Sequence, residues 1–203
     1  MTRPRRTGRG RLRAPYVAGA LLLVVALAGA WVFFVGGGGS TTQPAPQGTG
    51  ASSLRHVAQP AGRNPSESAR MVCAPEAQKD LASALGVATT GVSDPTWVDH
   101  VYSCRYMYPD GTMALSVKEL SSRTATTGYF NSLRAQLGEA EHLSGVAQGA
   151  FVTNNGSLVL RKDYKVLLVD TSGLPEPFGS GHETRDQVAL GAGMTVLGCW
   201  TGA

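Results

Sequence analysis

Apolar residues run without a charge from position 14 to position 35, thin out as far as position 68, and recur from position 69 with the periods of helices and strands. In that last stretch the spacing predicts a first helix over 75–85. Pro75 suits its opening turn, Gly86 its end, and Ala77, Leu81, Ala84 and Leu85 fall on one face. Alternation then predicts strands over 102–108 and 113–120. An Asp110-Gly111 turn between them would pair Tyr108 with Met113, Tyr106 with Leu115 and Cys104 with Val117. A second helix is expected over 123–137, capped by Ser121 or Ser122, with Phe130, Leu133 and Leu137 as its stripe and Gly138 at its end. Asn155-Gly156 predicts a second hairpin, 150–154 against 157–161, followed by a buried strand over 165–170. A last helix covers 183–200, with Val188, Ala192, Val196 and Cys199 along one side. The order α-β-β-α-β-β-β-α predicts an α+β domain: an antiparallel sheet of about five strands with three packed helices.

The uncharged run 14–35 has the length of a bilayer-crossing helix, with Tyr16 and Trp31 near its ends. Six arginines, from Arg3 to Arg13, precede it and no acid does, so the expected arrangement is a cytoplasmic tail (1–13), one transmembrane helix (14–35) and export of the remainder. Ala28-Gly29-Ala30 would fit a signal-peptide cleavage site, but Trp31-Val32-Phe33-Phe34-Val35 prolongs the apolar run and favours an uncleaved anchor. Residues 36–68 are rich in Gly, Ser and Pro and lack the apolar surface to offset ordering entropy. They read as a disordered linker, spanning roughly 30–35 Å as a flexible coil. The extracytoplasmic domain is then 69–203. The expected location is the cell membrane, with a single span, the N-terminus in the cytoplasm and the C-terminal domain outside.

Charge looks at first like a nucleic-acid signal, because the pI is near 9.1. Its distribution argues otherwise. From Gly36 onward the chain has 12 basic and 14 acidic residues, a net charge near −2, so the folded part has no basic excess for phosphates.

All three cysteines lie in the exported part, where disulfides form. Cys73 precedes the first helix and Cys104 sits on the inward face of the first hairpin, which favours Cys73–Cys104 with Cys199 as a free thiol. Cys73–Cys199 remains the alternative pair.

A cysteine before a first helix, a helix ending in Leu85-Gly86, a cysteine on the first strand, and Gln148-Gly149-Ala150-Phe151 before a later one together resemble the exported domains of actinobacterial lipoproteins. They also resemble the sensor ectodomains of some actinobacterial serine/threonine kinases, of PsbP-like fold. The resemblance covers about 73–199 and implies a fold and a location. Two features depart from it: no cysteine stands where a lipid would be attached, and the short cytoplasmic tail cannot hold a kinase.

No catalytic constellation is legible. G-x-S-x-G and phosphate-loop motifs are lacking, and His100, His142 and His182 lie far apart in sequence. No metal site or cofactor is expected, since no C-x-x-C occurs; Asp94, Asp99 and His100 read as loop polarity. The densest basic cluster, Arg161, Lys162 and Lys165, is a candidate docking surface for an anionic envelope polymer or lipid headgroups. The expected function is a membrane-anchored extracytoplasmic binding or sensing domain, non-enzymatic. The alternatives are a cell-envelope enzyme and a structural partner of another membrane protein.

Overall fold

A computed structural model describes residues 58–201. The expected tail, membrane segment and linker as far as residue 57 lie outside the described residues. Helix α1 (Glu67–Met71) starts at Ser66, whose Oγ accepts from Ala69 N at 3.2 Å. Helix α2 (Pro75–Leu85) begins with proline and ends at Gly86, left-handed at φ 63°. Four strands follow: β1 (Gly91–Val92), β2 (Thr96–Val98), β3 (Val101–Tyr108) and β4 (Gly111–Glu119). Helix α3 (Arg123–Leu137) is capped by Ser122 through Ala125 N. Strands β5 (Glu141–Leu143), β6 (Ala150–Val152), β7 (Leu158–Lys162) and β8 (Lys165–Asp170) then lead to α4 (Arg185–Thr201).

The expected architecture needs correction. Among the described residues the antiparallel sheet has eight strands rather than about five, and the helices number four rather than three packed on it. None of the described helices is long and apolar enough to cross a membrane. The five expected strands are β3, β4, β6, β7 and β8. The additions, β1, β2 and β5, have only two or three residues each, too few for alternation to register. Strand β2 folds back on β3 through Asp99 and His100, both at positive φ (49° and 59°), a conformation that the usual Asn-Gly signal does not announce here. Five-residue α1 is likewise too short to show a helical stripe.

Two hairpin registers also differ from expectation. Tyr108 pairs with Gly111 and Cys104 with Leu115, so the turn is Pro109-Asp110 and Gly111 opens β4. A two-residue slip leaves every side chain on its expected face. The reason lies across the fold: a Cβ on Gly111 would come within 2.5 Å of Gly173 O and 3.1 Å of Leu174 Cα. In the second hairpin Val152 pairs with Leu158, and Thr153 N donates to Ser157 O at 2.8 Å. Three residues, Asn154 to Gly156, therefore form the loop, with Gly156 left-handed at φ 85°.

The sheet runs β1-β3-β4-β8-β7-β6-β5, with β2 on the outer side of β3. One face carries Cys104, Tyr106, Met113, Leu115, Leu158, Leu160, Leu167 and Val169, covered by α1, α2 and α4 through Val72, Leu81, Leu85, Val188 and Val196. Phe151, Val159 and Val166 on the other face meet Phe130 and Leu133 of α3. The folded unit takes in chain before position 69. Ala61 N donates to Leu120 O at 3.0 Å, and Trp97 Nε1 to Arg63 O at 3.0 Å.

Candidate functional site

The sheet's alternation and the helical period of α3 bring two arginines to one aromatic platform. Phe130 and Arg134 stand four apart on α3, hence on one face. Phe130 packs edge-to-face on Phe151 of β6, with centroids 5.2 Å apart. The Arg134 guanidinium lies 5.2 Å from the Phe130 centroid and 5.6 Å from that of Phe151. On β7, Val159 and Arg161 point to the α3 side, and the Arg161 guanidinium lies 5.6 Å from the same Phe130 ring. Each such stack contributes about 0.5–2 kcal/mol, depending on how far water is excluded.

The loop from β5 to β6 forms the opposite wall. Gln148 N donates to Arg161 O at 3.1 Å and Arg161 N to Gly149 O at 2.9 Å, so the loop is bonded to β7 on both sides. The Gln148 side chain adds two bonds to Asp163, at 3.1 and 2.8 Å. Gly149 takes φ 151°, which side chains rarely adopt, and a Cβ there would also press on Arg161 Nε at 3.1 Å. The result is a cleft of about 440 Å³ lined by Phe130, Arg134, His142, Val146, Gly149 and Arg161, among others. Its lining is more polar than apolar and includes two guanidinium groups and no carboxylate.

The donors are incompletely used. Arg161 Nη1 donates to Thr127 Oγ1 at 2.6 Å, while its Nε is shut away from solvent without an acceptor. Arg134 Nε lies 3.0 Å from Glu139 Oε2, an ion pair, yet its N–H has no aligned acceptor. The other oxygen of Glu139 is 3.1 Å from His142 Nδ1. Glu139 thus spans two groups at the mouth of the cleft.

The sequence-derived docking cluster is divided by the fold. Arg161 enters this cleft. Lys162 and Lys165 pair with each other across the β7–β8 turn and belong to the other face. Lys165 is buried, and its ammonium is pushed below the ordinary lysine range by burial, against the opposing pull of Glu119. Glu119, its neighbour on β4, is buried as well. Its carboxylate accepts from Ser66 N at 3.2 Å and from the Ser66 hydroxyl, fastening the start of α1 to the sheet. These three cations therefore present no common surface.

The expected disulfide is present: Cys73 is bonded to Cys104, with Cα atoms 5.9 Å apart. Cys199 is free and half-buried. Beside the bridge, Tyr106 Oη donates to Val72 O at 2.6 Å. His100 stacks edge-on against Trp97, far along the chain from His142. Among the described residues no three His, Cys, Asp or Glu side chains gather as a metal would need.

A second hollow of about 350 Å³ is lined by Glu141, Asn155, Glu176, Arg185 and Asp186, among others. Its one cation is engaged, since Arg185 Nε donates to Leu174 O at 2.8 Å. The α3 cleft is the better candidate because its donors remain open. Arg134 carried no signal in the sequence beyond its four-residue spacing from Phe130. Its meeting with Arg161 depends on α3 crossing β7. Phe151, by contrast, belongs to the Gln148-Gly149-Ala150-Phe151 segment that stood out in the sequence. No protein-family model, curated protein or solved structure matches this chain.

Proposed function

We propose that this chain is a non-enzymatic binding or sensing module that works outside the cytoplasmic membrane, held there by its N-terminal segment, and that the α3 cleft is its ligand seat. The arginine-led apolar run supports the location. The cleft supports the function, and the observation that carries it is the pair of guanidinium groups, Arg134 and Arg161, among lining residues that include no carboxylate. The near-neutral charge beyond position 35 speaks against nucleic acid as the ligand.

Amide NMR of the full-length chain with pooled envelope metabolites tests this reading. The Gly145 and Gly149 amides should shift in a saturable way and the compounds should remain unchanged. Shifts confined to the Glu176–Arg185 hollow, or none in any pool, would refute it.

One observation favours a hydrolase as the second reading. Glu139 holds His142 Nδ1, as an orienting carboxylate holds a general base, and Ser144 lines the same cleft. No hydrogen bond joins Ser144 to His142, which ranks it second. Covalent labelling of Ser144 by a fluorophosphonate would reverse the order.

A further inference from the structure

We infer that the ligand of the α3 cleft carries a carboxylate, which the Arg161 guanidinium receives and for which Arg134 exchanges its present partner, Glu139. This inference rests on the reading of the cleft as a ligand seat. Three observations lead to it.

The first is charge. Two guanidinium groups line the cleft and no carboxylate does; Glu139, outside that lining, offsets Arg134 alone, so a surplus positive charge remains. A singly charged carboxylate balances that surplus. A phosphate monoester, near −2 at neutral pH, would invert it. The second is the donors: the Arg161 guanidinium has one bonded nitrogen, Nη1 on Thr127 Oγ1, and Arg134 Nε meets only a misaligned Glu139. A planar carboxylate accepts from guanidinium N–H groups in parallel, the geometry in which such bonds are strongest. The third is that Arg134 already holds a carboxylate. Glu139 bridges Arg134 and His142, with its side chain 27% exposed and that of His142 56% exposed, so the bridge is held at the rim and open to exchange.

The cleft volume, about 440 Å³, fits a small molecule rather than a polymer strand. The ligand class is thus a small carboxylic acid.

The test titrates the full-length chain with benzoate, benzamide and phenyl phosphate at constant ionic strength. The readouts are the Arg161 Nε–Hε resonance and the Gly149 amide. Benzoate should shift both saturably, with the other two probes at least about tenfold weaker. Arg161→Lys keeps the charge and removes the planar guanidinium fork, and should weaken benzoate by about tenfold, read at Gly149. Glu139→Gln removes the internal competitor and should tighten benzoate by roughly three- to tenfold, a gain that a structural role for Glu139 does not produce. Melting temperatures of both variants establish that they fold. Equal binding of benzamide, or tighter binding of phenyl phosphate, would overturn the carboxylate while leaving the cleft as a ligand seat. Weaker benzoate binding by Glu139→Gln would overturn the exchange. Silence of all three probes overturns the inference, whereas the seat itself stands or falls on the pooled metabolites.

Discussion

Replacing Cys73 and Cys104 together with alanine should lower the unfolding free energy by about 3–4 kcal/mol. The bridge closes a loop of 31 residues. In the chain-entropy model, removing it returns to the unfolded chain a freedom worth about 3.7 kcal/mol at 25 °C. The native side of the balance should change little. Tyr106 still donates to Val72 O, Trp200 Nε1 still donates to Ser68 O at 2.8 Å, and Leu81 and Leu85 still cover the sheet. The loss therefore belongs to the unfolded state. The assay is urea unfolding of the full-length chain in a Cys199→Ala background, which prevents thiol exchange, with near-ultraviolet circular dichroism as a check on native packing. Wild-type protein in excess reductant should show the same loss. A loss below about 1 kcal/mol would refute the reasoning. So would a full loss accompanied by an altered Trp200 signal, because the bridge would then be holding native helices in place.

Gly111→Ala should cost roughly 1–3 kcal/mol, read as a lower urea midpoint, because the new Cβ would press within 2.5 Å of Gly173 O, a backbone atom with little room to yield. The buried phenols give an alkaline signature. Burial pushes Tyr108 up to about 12, and Tyr106 is raised as well, first by burial and then by the neighbouring Tyr108. Their folded values stand above the unfolded value of about 10, so the stability they contribute is complete below that pH and is lost as pH rises through the folded values. Absorbance at 295 nm should show these two tyrosines ionising only with unfolding; their reversible titration near pH 10 in folded protein would contradict the burial.

Long, capped elements were legible in the sequence because their signals are local. Helices α2 and α3 begin and end at the expected residues, since Pro75, Gly86, Ser122 and Gly138 each act on a backbone group within a few positions. Strand β8 was equally plain, being a short buried run between polar turns. What escaped was set by distant chain. Gly111 reads as a turn residue until the Gly173 to Pro175 backbone is brought beside it. The cluster of Arg161, Lys162 and Lys165 looks continuous in sequence, but strand alternation sends Arg161 to one face and the lysines to the other. Arg161 was thus singled out for its charge, while Arg134 and Glu139, which give that charge a setting, come from α3 and the residues just beyond it. The edge strands β1, β2 and β5 owe their existence to β3 and β6, and carry too few residues to declare themselves alone.

The bond from the Trp200 indole to the Ser68 carbonyl brings the first helix and the last together, 132 positions apart in the chain. The start and the end of the helical layer therefore share one corner, across the sheet from α3, while the chain before Ser66 runs on to Trp97 and Leu120. A circular permutant, closed by an added linker from this corner to the segment before Ala61 and reopened at the three-residue turn around Asn155, would keep every strand neighbour in the sheet.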